Sequence, residues 1–425
     1  MSYLLAYNPY NTNLFMRTRS IDPAAQDFID AAGITGDVQQ QAINNLVKGL
    51  KADEIWSKMK AVYPFVTDNR NLFPYTSDLS TWTTGDVTKT LNYATAPDGT
   101  NTAIRIQGTT NAWFLGADLP TTVASNKVFS VYIKSNTGSN QQFRFFYQNT
   151  PVSGNYTVTT SWQRLEFTVN TITTSGQLTG FCRDSANNTA DLLIWHPQAE
   201  EGTVATAYQP IATTQQAYIA SQFKYNLVNP VDSDAAFRLV FNGGWTHSST
   251  GATPNGTNGY ADTKLVPSSV LAQNNSHISH YSRTNSQSNK PSIHSFSNVG
   301  GSKGEFAIYP YYTGNVAYSS ISGDTASSIT TSLNSLNYYI ANRISATSDS
   351  LFTGLIKASR TIASISPSTS PIFIAAQSFN GAPSPGFYDI RQSAFATIGD
   401  GLLDSEATAL YNRVQQFQVS LSRQV

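Results

Sequence analysis

The chain is poor in charge. Only 12% of its 425 residues are Asp, Glu, Lys or Arg, against about 25% in an average soluble protein. Its 26 basic and 26 acidic residues cancel. That balance excludes a strongly basic face for nucleic acid or for an anionic membrane surface. One cysteine, Cys182, excludes an intrachain disulfide framework and a zinc site built on four cysteines. No apolar run reaches 18 residues, so no membrane insertion is expected. The opening stretch MSYLLAYNPYNTNLFMRTRS lacks the basic start and apolar block of a secretory signal. No Walker or GxGxxG motif occurs. GGSKGEF at 300–306 lacks a hydroxyl residue after its lysine and reads as a loop.

What is abundant is aromatic and uncharged polar: 22 Tyr, 22 Phe and many Ser, Thr, Asn and Gln. Thr and aromatic residues suit a pleated, half-buried surface. An apolar share of 40%, alternating with polar positions, argues against disorder. The first 66 residues are the exception. Asp22 and Pro23 read as a cap and first-turn proline, and Gly33 as a stop. Val38, Ala42, Leu46 and Leu50, widened by Ile43 and Val47, form a helical stripe. Ile55, Met59 and Val62 predict a third short helix before Pro64. Three such helices cannot make a deep core alone, so they need a partner surface.

From Asn71 onward the period becomes two. Strands are predicted at 103–107, 128–134, 142–147, 163–169 and 191–195, separated by turns such as PDGTN and NTGSN. Residues 201–230 read as a connector. A second strand-rich region follows, with strands at 237–241, 277–282, 305–309, 338–343, 351–357 and 371–375. A helix from Asp404 to about Leu421 closes the chain. Its apolar face is Leu403, Ala407, Leu410, Val414, Phe417 and Leu421, and Ser405, Thr408, Asn412, Gln415 and Gln416 should be wet.

Over 71–211, the segments NLFPYTSDLSTW, APDGTNTAIRI, FSVYIKS, SWQRLEFTV and LLIWHPQAEEGTVATAYQPI occur in order. The series resembles the carbohydrate-binding-module-like jelly rolls of bacteriophage virion proteins, tail fibres especially. YYIANR, LFTGLIKASRTIAS, PIFIAAQSFNG and FATIGDGLLDSEATALYNRVQQFQ resemble concanavalin A-like (laminin G-like) sandwiches. AINNLVKGLKADEIWSKMKAVYPFV resembles a segment that precedes such sandwiches in phage proteins. The expected fold is mainly β, with two antiparallel β-sandwiches after a small α-helical N-terminal region. The parts are a helical virion-attachment region at 1–66, a jelly roll at 67–212 and a concanavalin A-like sandwich with a C-terminal helix at 213–425. The resemblance implies a tail or head fibre or appendage on the virion surface. It would bind other virion proteins through its N-terminal region, bind a host cell-surface glycan, and form a homotrimer. A capsid-decorating protein without glycan binding, and a glycan-degrading enzyme, are the other readings. Removal of 1–66 is expected to leave both sandwiches folded.

Neither resemblance implies catalysis, and fold does not fix function. His277 and His280, three apart on a strand, point to opposite faces, so they read as surface or loop histidines and no metal site is expected. Glu200 and Glu201 also point apart, whereas glycan cleavage needs two convergent carboxylates. Asp389, Asp400 and Asp404 cluster in sequence, but a GDG turn and a helix cap account for the last two. No catalytic residue and no cofactor are expected; a structural calcium is compatible with the sandwich rims. Sugar binding needs flat aromatic faces. The candidates are Trp113, Phe114, Trp245, Tyr309, Tyr311 and Tyr312. Trp82, Trp162 and Trp195 read as core by their strand context, and Trp56 as packing for the N-terminal helices. Trp113, in TTNAWFLG, suits either role.

Overall fold

The computed structural model describes residues 20–425 except 109–112, 121–123, 148–149, 152, 174–177, 184–189, 299–300, 302–303, 325–326 and 332–333. The protein is mainly β, with antiparallel pairing throughout its sheets. No helix among the described residues is long and apolar enough to cross a membrane.

One body has three layers. The first is helical: α1 (Pro23–Ala32), α2 (Asp37–Ala52) and the C-terminal helix, α3 (Asp404–Ser420). α1 starts where Asp22 accepts from the Ala24 amide and stops at Gly33, whose φ of 65° is the left-handed turn glycine permits. The middle layer is an eight-stranded sheet in the order Trp245–Ser248, Gly251–Pro254, Ser393–Gly399, Ser276–Ser282, Asn337–Arg343, Ser348–Thr353 and Ile356–Thr361. Met59–Tyr63 also pairs with Ser393–Gly399. The third layer is a seven-stranded sheet: Val240–Asn242, Tyr260–Asp262, Phe373–Ile374, Ile293–Ser295, Glu305–Tyr312, Val316–Gly323 and Ser327–Thr331.

Alternation along the middle sheet feeds two cores. Val62, Tyr281, Tyr338, Ile340 and Phe395 pack under the helices. Ala61, Tyr63, Ile278, Tyr339, Ala341 and Ile398 pack against Ile293, Phe306, Ile308 and Ile374 of the other sheet. α3 buries Ala407, Leu410, Val414 and Phe417, with Phe417 5.8 Å from Phe395. Leu403 caps the helix and is 55% exposed, while Leu421 is half-buried. Ser405, Thr408, Asn412 and Gln416 are exposed; Gln415 is half-buried, 3.3 Å from the Tyr281 hydroxyl.

The second body is the jelly roll. A five-stranded sheet runs Gln163–Ile172, Ser125–Ser135, Ala190–Glu201, Ala103–Gly108, Val87–Ala94. It faces a six-stranded sheet that includes Thr83–Gly85, Trp113–Asp118, Leu178–Arg183 and Gln141–Tyr147. Phe73, Trp82, Phe129, Phe145 and Phe181 fill the space between them. The chain leaves the first body after Val66, builds this sandwich and returns near Gln215. A helix there, Gln215–Phe223, lies in the stretch expected to be a connector. It buries Ile219 and Phe223 in the first body's core, with Phe223 edge-on to Phe65 at 5.5 Å.

Residues 20–66 are therefore part of the second sandwich's body rather than a region apart. Of the predicted stripe, Ala42, Ile43, Leu46, Val47 and Leu50 are covered within the same chain, whereas Val38 is 58% exposed. The predicted third helix is instead a 3-10 turn, Trp56–Lys58, followed by the strand Met59–Tyr63, because Ala61, Val62 and Tyr63 are buried on both faces of a sheet. Other boundaries shift for local reasons. Phe237 closes a turn at φ 58°, and its strand begins at Val240. The predicted strand 351–357 is two strands, joined where Gly354 turns at φ 62°.

His277 and His280 lie inside, not on the surface. Their strand is central and buried on both faces, so alternation sends each into a core. The His277 ring lies 2.6 Å from the Asp400 carbonyl through Nδ1 and 3.0 Å from Thr397 Oγ1 through Nε2. His280 Nε2 lies 2.9 Å from Ser393 Oγ. Burial pushes the His277 imidazole down to about 4 and, with the Arg391 charge, the His280 imidazole down to about 3.

Three outcomes are expected. Removing residues 1–66 unfolds the three-layer body, whereas replacing 71–209 by a short linker leaves it folded; circular dichroism and thermal melts of the two truncations check this. Phe417→Ala costs about 3–5 kcal/mol, read from denaturant unfolding. Both histidines titrate below the roughly 6.5 of an unfolded chain, so the unfolded state takes up the extra protons. Their contribution to stability is full above pH ~6.5 and is lost as pH falls toward their folded values. In His277→Gln the acid-side slope of stability against pH should drop by about one proton.

Candidate functional site

The seven-stranded sheet turns Ile293, Phe306 and Ile308 into the sandwich. Strand alternation then sends His294, Glu305 and Tyr309 out of its other face. Tyr318 is the register partner of Tyr309 and shares that face. A register shift between Tyr309 and Tyr312 brings Tyr312 round to the same side. The ring of Tyr312 stacks on that of Tyr318 at 4.2 Å and meets Tyr309 edge-on at 5.7 Å. A hairpin, Ala376–Phe379 with Ala382–Tyr388, borders the group and contributes Gln377 and Phe379. Phe379 lies 5.6 Å from Phe296. Asp324, just past the strand Val316–Gly323, completes a cleft of about 250 Å³.

The polar floor is fixed. His294 Nδ1 donates to the Ser378 carbonyl at 3.1 Å, since a carbonyl only accepts. Its Nε2 lies 2.8 Å from Glu305 Oε1. The side chains of this pair are 1% and 10% exposed. Burial, reinforced by the Glu305 charge, pushes the Tyr309 phenol far above its usual range. Tyr309 accordingly stays neutral and can donate. The cleft thus combines aromatic faces with an amide, a hydroxyl and carboxylates, the groups that hold a polyhydroxylated ring.

Of the sequence candidates, the structure unites Tyr309 and Tyr312. Tyr311 points elsewhere, its hydroxyl donating to Asn315 Oδ1 at 2.9 Å across the turn. Trp245 belongs to the middle sheet; its indole donates to the Asn242 carbonyl at 3.0 Å and stands edge-on to Phe241 at 5.2 Å, packed against the core. Phe114 is on the jelly roll, half-buried and 6.1 Å from Phe146. Trp113 opens the same strand, and its side chain lies outside the described residues. Trp82 is core, but Trp162 and Trp195 sit with Tyr132 in a small cluster on the outer face of the five-stranded sheet. Trp56 packs beside the helical layer.

The sequence reading missed His294, Glu305, Tyr318, Asp324 and Gln377. A usable signal existed: Glu305 and Tyr309 lie four apart on a strand, and the residues between them, Phe306, Ala307 and Ile308, are apolar. The carboxylates weighed from sequence are occupied elsewhere. Glu200 is buried and accepts from Gln198 Nε2 at 2.7 Å and the Thr206 amide at 2.9 Å. Asp389 pairs with Arg391 at 2.7 Å, Asp400 with Lys60 at 3.0 Å and Asp404 with Lys357 at 2.6 Å. Among the described residues, no group of three or more His, Cys, Asp or Glu is placed to hold a metal ion.

No protein-family model matches the chain, and no curated protein matches it significantly. Among solved structures it is similar to the CBM22-1 xylan-binding domain of Paenibacillus barcinonensis Xyn10C, at 19% identity and a TM-score of 0.24, over 35% of this chain and 96% of that one. It is similar to the second CBM6 module of Cellvibrio mixtus lichenase 5A, solved with cellotriose, at 12% identity and 0.22, over 34% and 99%. The enzymatically active domain of bacteriophage CBA120 tailspike protein 4 matches at 15% and 0.23, over 33% of this chain and 22% of that one. The two-sandwich architecture stands on the strand pairing.

His294→Phe removes the hydrogen bonds to the Ser378 carbonyl and to Glu305 from a buried site. The expected cost is about 1–3 kcal/mol in denaturant unfolding, with Tyr312→Ala costing less because that ring is half-exposed.

Proposed function

We propose that this chain is a glycan-binding protein of a virion surface, a fibre or appendage that uses the tyrosine cleft to hold host saccharide. The observation that carries the proposal is the joining of three tyrosine rings with Glu305, His294 and Gln377 in one recess. Aromatic faces stack on sugar C–H groups, and fixed polar side chains sort the hydroxyls. The segments that resemble phage fibre sandwiches supply the virion part of the reading. Within it, the protein binds other virion proteins through its N-terminal residues and assembles as a homotrimer.

A second reading, glycan hydrolysis, is favoured by one observation: Glu305 and Asp324 line the same cleft. The test for binding is a glycan array probed with the full chain, followed by titration of any hit. Tyr312→Ala and Tyr318→Ala should each weaken binding by about tenfold or more. Absence of any glycan hit, or binding untouched by both variants, overturns the proposal. Release of reducing sugar from a bound glycan, lost in Glu305→Gln, would establish the second reading instead.

A further inference from the structure

An open groove of about 720 Å³ lies on the helical layer, between α2 and α3. Leu46 and Phe417 are buried at its base, and Val419, which also lines it, is 55% exposed. The exposed amides of Asn45, Asn412 and Gln416 stand along it. Its charged lining residues, Asp53 and Arg413, neutralise each other through bonds of 2.7 and 3.0 Å. The groove therefore carries no net charge and combines apolar contact with amides. Such a surface suits an uncharged peptide, whose apolar side chains take the base while side-chain amides pair with backbone N–H and C=O groups.

The chain brings such a peptide to the groove's side. Residues 1–19 lie outside the described residues, and Ser20, the first described one, is held on α2: its carbonyl accepts from Lys48 Nζ at 2.5 Å. Lys48 and Asn45 are three apart on the helix and so are neighbours on its surface, and Asn45 lines the groove. The sequence upstream, MSYLLAYNPYNTNLFM, has no charged side chain; it is aromatic and aliphatic, with three asparagines. Phe15 is five residues from Ser20, a reach of up to ~17 Å. Asn45 to Asp53 covers ~12 Å of groove at the helical rise of about 1.5 Å per residue.

Independently of the tyrosine cleft, we propose that the groove between α2 and α3 is the docking site of this chain's own N-terminal segment, with Leu14, Phe15 and Met16 seated over Leu46 and Phe417. The attachment at Ser20 makes the docking intramolecular, so the groove meets the segment at an effective concentration on the order of millimolar, and modest contacts suffice. A virion protein that binds these residues has to draw them out of the groove first.

Photo-cross-linking of the full chain tests this, with benzoylphenylalanine in place of Phe15 and a mixture of isotopically light and heavy protein. The expected cross-links fall within 42–53 and 409–420 and join parts of one chain. Asn412→Trp, at an exposed position, fills the groove and should lower their yield by about fivefold or more as the population shifts to the undocked form. Gln416→Trp is the independent variant if the first fails to fold. Cross-links confined to other parts of the chain, no cross-link at all, or a yield untouched by both variants overturns the proposal. Cross-links that join light to heavy protein put the segment in a second copy's groove and overturn docking within the chain.

Discussion

The three-layer body depends on one strand pairing, Met59–Tyr63 alongside Ser393–Gly399. Partners more than 330 positions apart in the chain meet there, and everything between them must be folded around that closure. The strand brings α1 and α2 with it, and these cover the apolar face that the middle sheet would otherwise expose. The end of the strand is held by Arg423, whose buried guanidinium donates to the carbonyls of Phe65 at 2.6 Å, Pro64 at 2.7 Å and Ala394 at 3.1 Å. Burial pushes that guanidinium down to about 9. The carbonyls accept from a charged group, which makes these strong bonds in a dry place.

A second constraint sits where the chain crosses between bodies. Asp68 is buried, and its carboxylate accepts from the Thr35 amide at 2.6 Å, the Gly36 amide at 3.0 Å and Gln222 Nε2 at 2.9 Å. Its own carbonyl accepts from Gln209 Nε2 at 3.0 Å. The segments that lead into and out of the jelly roll are thus tied to each other and to the loop before α2. Asn71 continues the network, donating to the Pro197 and Gln209 carbonyls at 3.3 and 2.9 Å. Buried polar groups this fully paired hold one geometry, because any slip leaves a charge or an amide without a partner.

How much of this could be read from the sequence follows from which interactions are local. α1, with Asp22, Pro23 and Gly33, was legible because its start and stop are set within a dozen residues. The face of α3 was legible because one period governs it. The predicted strands overlap observed ones for the same reason, but many strands, among them Val87–Ala94, Ile293–Ser295, Val316–Gly323 and Ser393–Gly399, were not anticipated. What the sequence hid is non-local. Nothing near Met59 says that its strand joins one at 393–399, so helical spacing at Ile55, Met59 and Val62 misled. His277 and His280 look like polar surface until their strand proves central. In the cleft, Tyr309 was named as an aromatic, but His294 and Tyr318 become its neighbours only through sheet order. The register shift between Tyr309 and Tyr312 breaks the alternation that would have grouped Tyr309 with Tyr311.

Because the jelly roll is inserted within the three-layer body, it has a mechanical position of its own. Lys51 of α2 pairs with Asp22 at 2.6 Å, and Arg413 of α3 pairs with Asp53, just past the end of α2, at 2.7 Å. A pull between α1 and α3 therefore runs through these ion pairs and the strand pairing behind them, and the jelly roll, inserted between Val66 and Gln215, stands outside that path.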